Sequence, residues 1–186
     1  MQKNKILKII LLVVSLILCL LVLFYIAFTN IYRQDYKNII EQTLQEITIN
    51  NSSLNTNLVL SIIKQESKFN STAKSSKDAF GLMQLTFSTA KEVASKLSLN
   101  ISIEDLYNPE INIKLGVNYL NYLFTIFDDK QLVILSYNAG FNKVKTWLNN
   151  NELTIENGIY QTPYKETNIY VKKVLQNEKI YNLIKG

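Results

Sequence analysis

A glutamate at position 66 interrupts the apolar face of a predicted helix. Val59, Ile62 and Ile63 lie seven, four and three residues before Glu66, and this spacing places all four side chains on one helix face. Helix glutamates are usually solvated, whereas Glu66 is expected to point towards the core. Because burial disfavours the charged form, we expect a raised pKa. A carboxylic acid that stays protonated near neutral pH can act as a general acid.

The composition excludes most other catalytic chemistry. The chain of 186 residues has no histidine and one cysteine. Mechanisms of the Ser-His, Cys-His and His-metal kinds are therefore excluded, as are an intrachain disulfide and a thiolate metal cage. Acid–base chemistry must use Asp, Glu, Tyr or Lys. The sequence predicts no cofactor and no bound metal.

The N-terminal segment has the length and composition of a membrane anchor. Residues 9–28 form an uncharged apolar run of 20 residues, and a helix of that length spans about 30 Å, the thickness of a bilayer core. Three lysines precede the run and Arg33 follows it, which predicts a cytoplasmic N-terminus and an extracytoplasmic remainder. A cleaved signal peptide is the alternative. The length of the run and the poor cleavage site at residues 27–29 favour an uncleaved anchor.

The charge is too small to indicate nucleic-acid binding. The chain carries 20 Lys and Arg against 15 Asp and Glu. Three of the lysines precede the apolar run, so 17 basic residues against 15 acidic ones leave +2 for the remainder. A nucleic-acid-binding domain would be expected to carry a basic stripe.

The remainder of the chain has the periodicity of a mainly α-helical domain. Asn108-Pro109 predicts a helix start with a capping asparagine and proline in the first position, and Gly140 predicts a left-handed cap at a helix end. No strand longer than a few residues is expected. The predicted helices run from about Tyr36 to Ile47, Thr56 to Lys68, Ser88 to Leu97, Pro109 to Phe127, Lys130 to Ala139, Lys143 to Leu148 and Tyr164 to Leu183.

Four blocks of residues, together with a connecting helix, carry a family signature. In chain order they are Glu66-Ser-Lys-Phe-Asn70 with Ser75, Ala79-Phe-Gly-Leu-Met-Gln84, Ser136-Tyr-Asn-Ala-Gly140 and Pro163-x-x-Glu-Thr-x-x-Tyr-Val171, while the segment Asn108 to Gly116 fits the connecting helix. In this order they resemble the soluble lytic transglycosylase family, the SLT domain of glycoside hydrolase family 23. The resemblance extends from about Leu54 to Leu175.

The resemblance implies a fold class and a reaction. The fold would be mainly α, a lysozyme-like helical domain with a glycan cleft, preceded here by one transmembrane helix. The reaction would be cleavage of the β-1,4 bond between N-acetylmuramic acid and N-acetylglucosamine in peptidoglycan, with formation of 1,6-anhydro-muramoyl ends. Glu66 would be the single catalytic acid and base.

Other site residues are implied one by one. Tyr137 could hydrogen-bond Glu66 or substrate, and Glu166 would support the site as a structural partner. Ser75 could contact a sugar or the catalytic carboxylate, with a loop role as the alternative, and for Met83 a sugar contact and a core position stay equally open. The residues expected to bind substrate are Ser75, Met83, Gln84, Tyr137, Asn138 and Tyr170.

Three positions depart from the family pattern. Asp78 stands where the family usually has glycine, and a second carboxylate here could position water. Asn168 replaces the usual arginine, which would remove an ion pair near Glu166. Ser136 replaces the usual alanine.

These observations predict a single-pass membrane enzyme whose catalytic domain lies on the extracytoplasmic side of the cell membrane. Residues 1–8 would be a cytoplasmic tail, 9–28 the anchor, 29–53 a first helix and linker, and 54–186 the catalytic domain. The expected partners are peptidoglycan strands and the bilayer, but not nucleic acid. Two alternatives remain, a hydrolytic muramidase resembling G-type lysozyme and a non-catalytic wall-binding protein.

Overall fold

The computed structural model describes residues 2–184 and divides into two compact units at Gln34–Asp35. The first unit contains helix α1, Gln2–Ile31. Its stretch Asn4–Ile31 is long and apolar enough to cross a membrane, by length and composition alone. The predicted apolar run at residues 9–28 lies entirely within this stretch.

The second unit is mainly helical, and each helix predicted for it is present within two residues of the expected bounds. Helix α2 packs against α3 and α5, so the compact unit starts at Asp35, before the expected catalytic boundary at residue 54. The helices are α2 Lys37–Glu46, α3 Thr56–Glu66, α4 Phe87–Lys96, α5 Pro109–Ile126, α6 Lys130–Ala139, α7 Phe141–Asn149 and α8 Lys165–Ile184.

Two small antiparallel hairpins and a 3₁₀ turn complete the second unit. Strand β1, Ala79–Phe80, pairs with β2, Leu85–Thr86, and β3, Thr154–Glu156, pairs with β4, Ile159–Gln161. The 3₁₀ turn is Glu104–Tyr107. The sequence did not predict these elements individually, because strands of two or three residues are too short to show an alternating pattern.

Helix α3 is the central helix of the second unit. Every residue from Thr56 to Ile63 is buried, and α3 packs along α8, whose Val171 and Val174 are also fully buried. This burial is more extensive than the one-sided apolar face that the sequence predicted. A charged group placed on α3 must therefore lose much of its hydration.

The helix ends follow from local signals in most cases. The Asn108 side chain accepts hydrogen bonds from the backbone N–H groups of Glu110 and Ile111, which confirms the predicted cap of α5. Gly140 has the expected positive φ, 88°, but its ψ of 135° lies outside the left-handed helical region, so the predicted left-handed cap is wrong. Gly140 instead turns the chain directly from α6 into α7.

Candidate active site

Glu66 is the last residue of α3, and the chain leaves the helix immediately after it. The next residues, Lys68 and Phe69, have positive φ values of 52° and 66°, so the helix ends two residues earlier than predicted. Phe69 is nonetheless buried in the core. The carboxyl group of Glu66 thus lies at the negative end of the α3 dipole, a position that disfavours an additional negative charge.

A tyrosine from α8 holds the Glu66 carboxyl group. The Tyr170 hydroxyl donates a hydrogen bond of 2.6 Å to Glu66 Oε1. These residues are 104 positions apart in the chain and meet because α3 packs along α8. Tyr170 is only 6% exposed, so its contact with Glu66 is internal to the protein. This contact differs from the substrate contact that the sequence predicted for Tyr170.

The electrostatic environment keeps Glu66 protonated close to neutral pH. Burial raises the pKa of Glu66 to about 7, although the Tyr170 hydrogen bond stabilises the carboxylate and acts in the opposite direction. Burial and the nearby Glu66 charge raise the pKa values of Tyr137 and Tyr170 well above their ordinary range. Both phenols therefore remain hydrogen-bond donors over the pH range in which Glu66 titrates.

Six of the residues expected at the site share one open cavity of about 510 Å³. They come from α3, the loop before β1, the β1–β2 turn, the end of α6 and the start of α8. The six are Glu66, Ser75, Gln84, Tyr137, Asn138 and Glu166. The tertiary structure thus brings all four sequence blocks to one place.

The turn between β1 and β2 is fixed by a buried asparagine that the sequence analysis missed. Asn112 of α5 is fully buried, and its Nδ2 donates to the carbonyl oxygens of Phe80, at 3.0 Å, and Leu106, at 2.7 Å. Its Oδ1 accepts from the Met83 N–H at 2.8 Å. A polar residue among the buried positions of α5 was the available signal, of the same kind that singled out Glu66.

Close packing in this turn also requires glycine at position 81. Gly81 has φ +73°, and a Cβ there would lie 2.1 Å from the Leu106 carbonyl oxygen. Gln84, three residues later in the same turn, has φ +49°, and its Nε2 donates to the carbonyl oxygens of Ala73 and Gly81. The Gln84 side chain is therefore held in place at the cavity wall.

The contacts of Tyr137 and Ser75 differ from the expected ones. The Tyr137 hydroxyl donates to the Met83 carbonyl oxygen at 2.8 Å rather than to Glu66. Ser75 Oγ accepts from the backbone N–H groups of Lys77 and Ala79, which closes the loop before β1. Both residues still line the cavity, so each can face a ligand while supporting the backbone around it.

Met83 is a core residue. Its side chain is fully buried and packs against Gly116, where a Cβ would lie 2.2 Å from Met83 Sδ. The expectation that the Met83 side chain lines a sugar site is therefore wrong. The apolar side chain fills space beneath the cavity, and its backbone carbonyl binds Tyr137.

Asp78 does not belong to this cavity. Its side chain is 76% exposed and forms an ion pair of 3.1 Å with Lys74, and it lines a separate groove with Phe80 and Tyr107. The backbone φ of Asp78 is +51°. A glycine adopts this conformation without strain, which explains the family preference for glycine at this position.

Asn168 and Ser136, the other two residues that differ from the family pattern, affect the structure locally. Asn168 exchanges hydrogen bonds with Thr162, accepting from its N–H and donating to its carbonyl oxygen, and so ties the loop before α8 to the helix. Ser136 is fully buried, and its Oγ has no hydrogen-bond partner within the part of the chain that the structure describes. Neither residue lines the cavity that contains Glu66.

Several proteins named as lytic murein transglycosylases are similar to this chain. The soluble lytic murein transglycosylase of Escherichia coli K12 is 35% identical over 132 residues, which are 68% of this chain and 20% of that protein. Membrane-bound lytic murein transglycosylase C of Shigella sonnei is 32% identical, over 67% of this chain and 41% of that protein. The crystal structure of the 70 kDa soluble lytic transglycosylase of E. coli matches with a TM-score of 0.72 and 30% identity.

The matches to solved structures extend over most of this chain but over only about a quarter of each matched protein. The E. coli match covers 83% of this chain and 25% of that structure, and a further solved structure that matches is a complex of the 70-kDa soluble lytic transglycosylase with bulgecin A. An inactive Glu-to-Gln mutant of the lytic transglycosylase Slt from Pseudomonas aeruginosa matches with a TM-score of 0.69 and 30% identity, over 82% of this chain and 24% of that structure. The predicted lysozyme-like, mainly helical fold class is confirmed.

The family assignment follows from the sequence match as well as from the fold. The sequence model of the transglycosylase SLT domain matches residues 44–158, more than half of the chain. The chain spans about a fifth to a quarter of the length of the soluble relatives that it matches. One relative is named as membrane-bound, and helix α1 of this chain includes a stretch that is long and apolar enough to cross a membrane. This chain therefore belongs to the transglycosylase SLT domain family.

Proposed function

We propose that this protein is a membrane-anchored peptidoglycan lytic transglycosylase. It cleaves the β-1,4 bond between N-acetylmuramic acid and N-acetylglucosamine and leaves 1,6-anhydro-muramoyl ends. One observation carries the proposal above all. Glu66 has a pKa raised to about 7, borders a cavity of about 510 Å³ and is held by the Tyr170 hydroxyl.

The proposed mechanism uses Glu66 twice. The protonated carboxyl group donates its proton to the glycosidic oxygen as the bond breaks, which leaves Glu66 ionised. The carboxylate then takes the proton of the C6 hydroxyl of the muramoyl residue while the C6 oxygen bonds to the anomeric carbon. Glu66 ends the cycle protonated, and no water is consumed. Because the C6 hydroxyl is already tethered to the reacting ring, proximity replaces a second base.

The surrounding side chains have distinct proposed roles. Tyr170 orients Glu66 Oε1 from the protein side, so it is a positioning residue. Ser75, Gln84 and Asn138 line the cavity with polar groups suited to sugar hydroxyls and acetamido groups. Among the residues that the structure describes, no three His, Cys, Asp or Glu side chains gather as a metal site.

The hydrolytic alternative depends on Glu166. This exposed carboxylate lines the same cavity as Glu66, where it could activate a water molecule. A second carboxylate is the usual requirement of a hydrolytic glycosidase. The position of Asp78 outside the cavity, by contrast, gives no support to a water-positioning role for that residue.

Mass analysis of released muropeptides tests the proposal. The full-length protein in detergent micelles should release mainly 1,6-anhydro products from purified peptidoglycan, each one water lighter than the hydrolytic product. Glu66→Gln should abolish cleavage, whereas Glu166→Gln should leave the product ratio unchanged. If the wild type instead releases mainly reducing-end products and Glu166→Gln no longer does, the protein is a hydrolytic muramidase. Binding without cleavage by the wild type would establish a wall-binding protein.

The proposed topology places residues 9–28 in the cell membrane, with the N-terminus cytoplasmic and the second unit on the extracytoplasmic side, where peptidoglycan lies. The apolar composition of Asn4–Ile31 and the lysines before the run support this arrangement. The protein should remain in the membrane fraction after a carbonate wash, and protease added outside the cell should digest the second unit. A soluble product that begins near Thr29 would contradict the proposal.

A further inference from the structure

The turn that follows Glu66 has an unusual backbone conformation. Lys68 and Phe69 have consecutive positive φ values of 52° and 66°. Bulky side chains rarely adopt this left-handed region, because the Cβ atom crowds the following carbonyl oxygen. Such a conformation persists when the surrounding structure holds it in place. The contacts that hold Phe69 therefore also determine where α3 ends and how the Glu66 side chain leaves the helix.

Phe69 connects this turn to the core. Its side chain is 4% exposed, whereas its neighbours Lys68 and Asn70 are exposed. The Asn70 N–H donates to the Ser67 carbonyl oxygen at 3.1 Å, and Ser67 Oγ donates to the Ile63 carbonyl oxygen at 3.2 Å. These hydrogen bonds join near neighbours in the chain. The buried Phe69 ring, by contrast, fastens the turn to more distant parts of the second unit.

An aromatic ring at the start of α2 packs on Phe69. The ring centroids of Tyr36 and Phe69 are 6.5 Å apart, and the ring planes are inclined by 12°, so the two rings stack. Tyr36 is half-buried and is the N-cap residue of α2. Helix α2 is itself held in place, because Ile40 is fully buried and the helix packs against α3 and α5. The Tyr36 ring is thus a fixed support for Phe69.

We propose that Tyr36 is a positioning residue for Glu66 and that it acts through Phe69. The inference rests on the proposed function, in which Glu66 is the acid. The Tyr36 ring keeps Phe69 buried, Phe69 keeps the turn in its left-handed conformation, and the turn ends α3 at Glu66. Tyr36 lies outside residues 44–158, which the SLT family model matches, and within the segment that the sequence predicted to be a linker. The proposed acid therefore depends on a segment that precedes the matched domain.

The kinetic test uses the full-length protein in detergent micelles with soluble glycan strands as substrate. Tyr36→Ala should lower kcat about ten- to hundredfold, the scale of a small misplacement of a catalytic group. KM should stay nearly unchanged, because Tyr36 does not line the cavity that contains Glu66. Tyr36→Phe keeps the stacked ring and should keep the wild-type rate. Circular dichroism verifies folding at the assay temperature, and Tyr36→Leu provides the same test if Tyr36→Ala does not fold.

The alkaline limb of the pH–rate profile is a second readout, which a loss of stability alone would not move. A relaxed turn gives the Glu66 carboxyl group more water, so its pKa should fall from about 7 towards 4.5. The alkaline limb of Tyr36→Ala should therefore move to lower pH. The variant leaves unchanged the titratable and charged groups that face Glu66, which are Tyr170 on its carboxyl group and Lys77, Tyr119, Tyr137 and Glu166 in the same cavity.

Tyr164→Ala is the matched control. Tyr164 is 48% exposed and contacts the buried Trp147, with ring centroids 5.5 Å apart. This variant also removes a tyrosine ring from a buried aromatic partner, but it should keep the kcat, KM and alkaline limb of the wild type. An unchanged kcat and an unmoved limb in folded Tyr36→Ala would overturn the inference. Equal losses of kcat in Tyr36→Ala and Tyr164→Ala would do the same.

Failure of the inference and failure of the proposed function have different signatures. The reaction type is determined by the masses of the products that the wild type releases, whereas positioning is determined by the rates of the Tyr36 variants. Anhydro products from the wild type with an unchanged rate in Tyr36→Ala would overturn the inference alone. Reducing-end products from the wild type, with a lower kcat and a shifted limb in Tyr36→Ala, would overturn the transglycosylase reaction alone.

Discussion

Replacing Glu66 by glutamine is expected to stabilise the folded second unit at alkaline pH while it removes the proposed acid. Burial raises the pKa of Glu66 to about 7. Above that pH the folded protein must hold an ionised carboxylate in a poorly solvated position at the C-terminal end of α3. Glutamine has nearly the same shape and no charge, and its amide oxygen can still accept the Tyr170 hydroxyl.

The magnitude follows from the linkage between protonation and folding. In the unfolded chain the Glu66 carboxyl group ionises near its ordinary pKa of 4.5, whereas in the folded protein it ionises near 7. The free energy of unfolding of the wild type should therefore decrease as the pH rises through this interval. The full difference corresponds to about 3 kcal/mol. Because Glu66 borders an open cavity, solvent screening reduces this value, and we expect a gain of about 2 kcal/mol.

Urea unfolding of the full-length protein in micelles, followed by Trp147 fluorescence, measures the effect. Trp147 is the single tryptophan of the chain and is 3% exposed in α7, so its emission should report unfolding of the second unit. Below pH 4.5 the variant and the wild type should be equally stable, and above pH 7 the variant should be more stable. The exposed Glu104→Gln serves as the control. A stability difference that is the same at both pH values would refute the desolvation argument.

Three further variants test individual contacts. In the wild type the Tyr170 hydrogen bond lowers the pKa of Glu66, so Tyr170→Phe should raise that pKa and move the alkaline limb of the pH–rate profile to higher pH. The same variant should reduce kcat about tenfold. An alkaline limb that does not move would contradict the positioning role of Tyr170. Ser136→Ala removes a buried hydroxyl that has no hydrogen-bond partner among the described residues, and it should raise the free energy of unfolding by about 1 kcal/mol in urea titrations. A lower free energy of unfolding in the variant would show that the Ser136 hydroxyl does form a hydrogen bond. Asp78→Gly should leave the ratio of anhydro to reducing-end products unchanged in mass spectra, since Asp78 pairs with Lys74 outside the cavity; a changed ratio would show that Asp78 positions water.

Local signals in the sequence predicted the helices well. Asn108 and Pro109 specify the start of α5 through a side-chain cap and a fixed φ, and both act on immediate neighbours. The end of α3 was placed too late, because the apolar pattern continues to the buried Phe69 although the backbone leaves the helix at Glu66. The pattern reports which side chains are buried, and it does not report the backbone conformation that buries them.

Two kinds of sequence signal predicted the candidate site, namely a residue that conflicts with its own surroundings and the order of the motif blocks. Glu66 was found because a carboxylate among apolar residues breaks the helical pattern, and Asn112 could have been found in the same way. The motif blocks supplied the other residues of the cavity, but they left the positions of the Met83 and Asp78 side chains open, because a motif gives the order of residues without the direction of their side chains. Met83 points into the core, and Asp78 points to solvent.

The sequence by itself determined the helical class, the apolar N-terminal helix, the candidate acid Glu66 and the family, since each depends on neighbouring residues or on order along the chain. Only the tertiary structure decided that Tyr170 holds Glu66 from 104 residues away and that Tyr137 binds the Met83 carbonyl. It also placed Glu166 in the same cavity as Glu66. These contacts arise from the packing of α3 against α8 and of α6 against its neighbours. Hydrogen-bond partners distant in sequence leave no periodic signal, because the geometry that joins them exists only after the helices have packed.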